Sequence, residues 1–196
     1  MNRQIFLLMV LAFLLVACTS TQGSAIATLS PDQILPFDLS DYPPGWNFIS
    51  LTRNYDWQAS TAYTLSFESQ NLNLISHLDF IYYAEQNKAQ DAFVTYKGQA
   101  FWNPGALALS GWYTPPDLSP SLSHANEHNL ACIMQSRQTG EVENCTFWVR
   151  YGYCLIKFHS QIGSPYMNHQ EFQSMIENVI DDRISQVSQC FNPQKI

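Results

Sequence analysis

Three runs of alternating side chains crowd together in the C-terminal half of the chain: LACIMQSR (130–137), CTFWVRY (145–151) and YCLIKFHSQI (153–162). Connections this short suit consecutive antiparallel strands. The three are expected to form a meander, joined by QTGEVEN and by a turn around Tyr151-Gly152. Pairing across that turn sets Val149 against Cys154, Phe147 against Ile156 and Cys145 against Phe158. With a side-chain period of two, all six share one face, the expected core face.

The same alternation marks TAYTLSFES (61–69) and LISHLDFIYY (74–83), with QNLN between them as a hairpin turn, and GWNFISL opens the globular part. In AEQNKAQDAFVTYKGQ (84–99) the period lengthens, and Ala89, Ala92, Phe93 and Tyr96 fall on one helical stripe. Residues 100–129 are broken by Pro104, Gly105, Pro115, Pro116 and Pro120. An irregular insertion of that length is either functional or mobile. A last helix is signalled by Asn168 as cap, Glu171 three positions on as in a capping box, and Met167 placed to staple onto Phe172. Phe172, Met175, Ile176, Val179, Ile180, Ile184 and Val187 continue as an apolar stripe, with Asp181, Asp182 and Arg183 expected on the solvated side. The order predicts an α+β fold: a single domain over 45–196, an antiparallel sheet with helices packed on one face. Over roughly 45–190 this element order is similar to exported α+β domains such as the PsbP-like family and the sensor domains outside PknH-type kinases. The similarity implies a binding, sensing or assembly role, and carries over no residues.

The N-terminus begins MNRQIFLLMVLAFLLVACTS: one basic residue, Arg3, then an uncharged apolar run from Ile5 to Val16. The run is too short to span a bilayer, which takes about 20 residues, and fits a secretory signal. Its end, Leu15-Val16-Ala17-Cys18, resembles the lipobox of bacterial lipoproteins. That resemblance implies cleavage before Cys18, acylation of Cys18, and a domain held at the cell envelope, on its periplasmic or extracellular side, by lipid rather than by a spanning helix. Residues 1–17 are then the signal, and 18–44, rich in Ser, Thr and Pro, a tether. The full chain carries a net charge of −7 and loses Arg3 with the signal. Such a balance argues against nucleic acid as a partner and against electrostatic adhesion to anionic lipid. Charged residues make up only 13% against 14% aromatic, so the surface draws its polarity from Ser, Gln, Asn and Tyr.

With Cys18 assigned to lipid, Cys132, Cys145, Cys154 and Cys190 remain, an even number in an exported chain. No two lie within C-x₂₋₄-C spacing, so disulfides are expected in place of a structural zinc. A turn near Gln138-Thr139 sets Cys132 opposite Cys145. Cys145 and Cys154 lie about 13 Å apart along the ladder, beyond disulfide reach. The expected bridges are Cys132–Cys145 and Cys154–Cys190.

Catalytic motifs are few. HANEH (124–128) matches His-x-x-Glu-His, the inverted zinc-peptidase signature, in His124, Glu127 and His128. That chemistry needs both histidines on one face of a helix, and here the stretch follows TPPDLSPSLS and enters a predicted strand. No metal, catalytic residue or cofactor is expected. His77, His159 and His169 lack a recognisable partner by spacing, and G-x-S-x-G is absent. The insertion supplies the candidate ligand-binding residues, Phe101, Trp102, Trp112 and Tyr113, which either form a binding patch or fold back over the sheet edge. The sequence thus reads as a non-catalytic lipoprotein with an exported binding or sensing domain. Two other readings stand beside it: a lipid-anchored hydrolase using the 100–129 insertion, and a scaffold factor for an envelope complex.

Overall fold

The computed structural model describes residues 41–55, 57–69, 74–137, 140–163 and 167–192. Cys18, the signal, most of the tether, the QNLN turn and the Gln138-Thr139 turn lie outside the described residues. In chain order the elements are β1 (Trp46–Arg53), β2 (Thr61–Ser69), β3 (Ile75–Tyr82), α1 (Gln86–Trp102), β4 (Glu127–Arg137), β5 (Gly140–Tyr151) and β6 (Cys154–Ile162). Then come α2 (His169–Ser174), a π-helical stretch (Met175–Asp181), a last turn (Asp182–Ile184), and a short α3 (Ser188–Phe191). None of the described helices is long and apolar enough to cross a membrane.

The six strands form one antiparallel sheet in the order β1-β2-β3-β6-β5-β4. Two meanders, β1-β2-β3 and β4-β5-β6, therefore join along β3 and β6. The β5–β6 pairing sets Val149 against Ile156, Phe147 against Phe158 and Tyr151 against Cys154. This is two residues away from the sequence expectation, because Gly152-Tyr153 makes the tighter turn. Gly152 has φ +55°, and a Cβ there would collide with the Cys190 carbonyl. A shift of two preserves the side-chain face, so the expected core face survives the change.

Helices cover both faces, which corrects the one-face expectation. Phe147, Val149, Ile156 and Phe158 belong to the larger core, with Phe172, Ile176, Ile180 and Ile184 of the C-terminal helix. The Phe158 and Phe172 rings stack at 4.7 Å. Their strand neighbours Trp148 and Leu155 point the other way, onto Ala89 and Phe93 of α1, with Ala62, Ile81 and Tyr83. The alternation carried both cores, since β2, β3, β5 and β6 are apolar on each face over part of their length. Helix α1 ends at Trp102 because Asn103, extended at φ −113°, precedes Pro104. Upstream of β1, Tyr42 is buried and stacks on Phe67 at 3.7 Å, while Asp41 pairs with Arg183, so the packed chain starts before residue 45.

The capping box at Asn168 and Glu171 is present in both directions. Phe172, Ile176, Ile180 and Ile184 recur every four residues through the π-helical stretch and its flanks, and all four are buried in the larger core.

Candidate functional site

The insertion is an ordered strap. Its first half adds to the outer edge of β4: Ser136 N–H donates to the Leu107 carbonyl at 2.9 Å and Leu109 N–H to the Met134 carbonyl at 2.8 Å. Tyr113 and Cys132 exchange both backbone bonds, at 2.9 and 2.7 Å. An exposed strand edge is an invitation to pairing with another chain, and the strap closes this one. Its second half docks on the C-terminal helix. Backbone N–H groups of Ser119, Ser121 and Ser123 donate to Gln173 Oε1 (3.2 Å), Glu177 Oε1 (2.7 Å) and Asp181 Oδ2 (2.7 Å). Strap and helix run alongside each other, so that alternate amides of the strap meet every fourth side chain of the helix.

One histidine fastens the strap at its middle. His169 Nδ1 lies 2.8 Å from Asp117 Oδ2, and Nε2 lies 2.7 Å from Glu143 Oε2. The Tyr113 hydroxyl donates to the other Glu143 oxygen at 2.5 Å. Ionised carboxylates only accept, so both His169 contacts are hydrogen bonds when the ring is the imidazolium. Burial, the largest single influence, pulls the His169 pKa down, but the bonds to Asp117 and Glu143 and their charges outweigh it and hold it above the ordinary value. Burial, then the hydrogen bond to Glu143 and its charge, pushes Tyr113 up to about 12.

This separates the four aromatic residues expected to act together. Phe101 and Trp112 meet edge to face at 5.0 Å and close the base of a loop. Tyr113 is committed to Glu143. Trp102 alone stands out, 85% exposed.

The metallopeptidase reading meets a strand where it needs a helix. Glu127 and His128 are consecutive residues of β4 and point to opposite faces, and Glu127 accepts from Arg150 Nε at 2.6 Å. His124 lies outside β4, in reach of Asp181 and Asp182, with one ligand atom from each within 4.8 Å of the others. Asp181 departs from the expected solvated face: it is buried and accepts the Ser123 and His124 amides. His77 and His159 sit on strands as expected, hydrogen-bonded through Nδ1 to Ser66 (3.0 Å) and Thr146 (2.9 Å). Burial lowers both, His159 to about 3, and so favours the neutral ring in each.

A concave site missed in the sequence lies beside α1, a groove of about 480 Å³ lined by Trp57, Tyr83 and Tyr96 with Lys88, Asp91 and Gln99 at its polar side. The Trp57 carbonyl receives the hydroxyls of Tyr83 (2.9 Å) and Tyr96 (3.2 Å). Its ring stands edge to face on Tyr96 at 4.7 Å and on Trp148 at 5.6 Å, and its indole N–H is buried without a partner among the described residues. Below it Lys157 pairs with buried Asp79 at 3.7 Å and lies 5.8 Å from the Trp148 ring. Burial raises the Asp79 pKa, against Lys157 and the Thr64 hydroxyl, which lower it. Trp57 escaped the sequence reading because it stands in the irregular β1–β2 connection, without a periodic pattern to mark it. No family model, curated protein or solved structure gives a significant match to the chain.

Proposed function

We propose that the chain is a bacterial envelope lipoprotein, acylated at Cys18, whose exported domain works by binding. The observation that carries the reading is the cysteine pairing. Cys132–Cys145 and Cys154–Cys190 are bridged, which leaves Cys18 alone, at the end of LVAC. Stable disulfides belong to oxidising compartments, beyond the membrane that a lipobox signal directs a chain across. Binding is favoured over hydrolysis by the state of the titratable groups: both nitrogens of His169 face carboxylates, and His159 is held neutral by burial. The Trp57 groove suits a ring-bearing or glycan ligand, with aromatic side chains in its lining and amide and charged groups beside them.

Mass analysis of the mature protein is expected to find diacylglyceryl-modified Cys18 at its N-terminus, and Cys18→Ser to leave the membrane fraction or stall unprocessed. The released chain then serves for titration with N-acetylglucosamine oligomers, read by tryptophan fluorescence and compared with Gln99→Ala. An unmodified Cys18 with unchanged membrane association removes the anchoring reading. Full fluorescence saturation that is identical in Gln99→Ala removes the groove.

A further inference from the structure

Between Asp91 and Asp117 the sequence contains no acidic residue, and Lys97 is its one charge, in a chain whose net charge is −7. Four of the five most exposed large apolar side chains among the described residues lie in this span: Trp102 (85%), Leu107 (62%), Val94 (57%) and Leu109 (52%). Three of them stand close in sequence, Trp102 at the end of α1 and Leu107 and Leu109 in the loop that follows. Phe101 and Trp112 pair at 5.0 Å and close its base. Inside it Gly105 N–H donates to Asn103 Oδ1 and Ala108 N–H to the Gly105 carbonyl, a tight reversal directly after Trp102. Leu107 and Leu109 flank Ala108, which bridges to Gln135 at the sheet edge, and both side chains are exposed. A loop with its base clasped in this way holds its tip side chains in place without burying them.

We propose that this loop is a bilayer-docking surface, on which Trp102, Leu107 and Leu109 enter the headgroup region of the membrane that holds the anchor. The proposal rests on the anchoring reading for its choice of occupant. Tryptophan favours the membrane interface, and the leucines supply apolar area to bury there. Charge selects the same surface. An acidic domain is repelled by anionic lipid, and the span 92–116 contributes no carboxylate of its own to the contact. Length completes the argument: residues 19–40 separate Cys18 from the packed chain and reach on the order of 75 Å at most when extended. The domain is thus held near the bilayer at high effective concentration, and a weak contact suffices to orient it.

The test uses the mature chain from residue 18 with Cys18→Ser, so that partitioning is read without acyl chains. Vesicles of phosphatidylethanolamine and phosphatidylglycerol are floated with this chain and with its Trp102→Ser/Leu107→Ser/Leu109→Ser form. The parent is expected to float in proportion to excess lipid, a contact too weak to keep the unacylated chain in a washed membrane fraction, and the triple variant to need at least tenfold more lipid for the same bound fraction, with an unchanged melting temperature. Brominated lipid should quench the parent's fluorescence more than that of Trp102→Phe. A parent that stays with the soluble fraction at every lipid concentration overturns the proposal, as does a triple variant that floats like the parent. A triple variant that floats normally but loses a co-purifying protein overturns it in favour of a protein partner. Absence of acyl groups on Cys18 is seen by mass and leaves the flotation result to stand separately.

Discussion

His169 shows how one side chain can set the pH behaviour of a distant segment. Its folded pKa is raised, so the stability it adds is fully present below its unfolded value near 6.5 and is lost as pH rises through the folded value. Asp117 has the opposite sign: its hydrogen bond from His169 lowers its pKa, so its contribution is present above about 4 and lost as pH falls. The clasp is therefore strongest between about pH 4 and 6.5. We expect His169→Gln to cost about 1–2 kcal/mol at pH 5.5, with the difference from the parent shrinking above neutrality. Neutral His77 and His159 work against stability in acid, but they do so equally in both forms and cancel in the comparison. Urea melts from pH 4.5 to 8.5 decide it, and a difference that stays flat across that range sinks the clasp. None of this was legible beforehand: Asp117 is 52 residues from His169 and Glu143 is 26 away, and spacing carries no trace of a contact made by folding.

The elements were more legible than their partners. Alternation located the strands and the capping box located the start of α2, because both are local consequences of side-chain geometry. The strap could not be read, since its structure comes from what it lies against. Even so, the helix carries a signal in plain sequence. Gln173, Glu177 and Asp181 recur at the same four-residue interval as Phe172, Ile176, Ile180 and Ile184, one row polar and one apolar. The apolar row packs on the sheet and the polar row receives the strap. Asp181→Ala strands two backbone donors, those of Ser123 and His124, and is expected to cost about 2–3 kcal/mol. Glu177→Ala removes the partner of Ser121 in a more exposed place and should cost about 1 kcal/mol. Amide exchange at Ser121 and Ser123 should quicken in each corresponding variant, with new protease cleavage inside the strap. Unaltered exchange at both amides would mean that the helix does not hold the strap.

At the scale of the molecule, the sequence indicated one sheet, two bridges and two helices, and set both helices on one face where the structure places them on opposite faces. The reason lies in strands such as CTFWVRY: Phe147 and Val149 define one face plainly, and Trp148 between them reads as an interruption until α1 is seen to cover it. A domain built this way depends on its bridges unequally. Cys132–Cys145 links residues of β4 and β5 that the ladder already holds opposite each other, 13 apart in sequence. Cys154–Cys190 closes 36 residues and ties α3 across the β5–β6 turn, where Tyr153 N–H donates to the Cys190 carbonyl at 2.8 Å above Gly152. Loop closure alone assigns about 3 kcal/mol to the first and about 4 kcal/mol to the second. Their sum, about 7 kcal/mol, is comparable with the whole stability of an ordinary domain, about 5–15 kcal/mol. The paired substitutions Cys132→Ala/Cys145→Ala and Cys154→Ala/Cys190→Ala should therefore both lower the melting temperature, the second more, and the fully reduced parent should be largely unfolded at 37 °C. Circular dichroism melts with and without reductant measure this directly. A reduced chain that melts within a few degrees of the oxidised one would show that the two cores suffice alone, and would remove the support that the bridges lend to the proposed export.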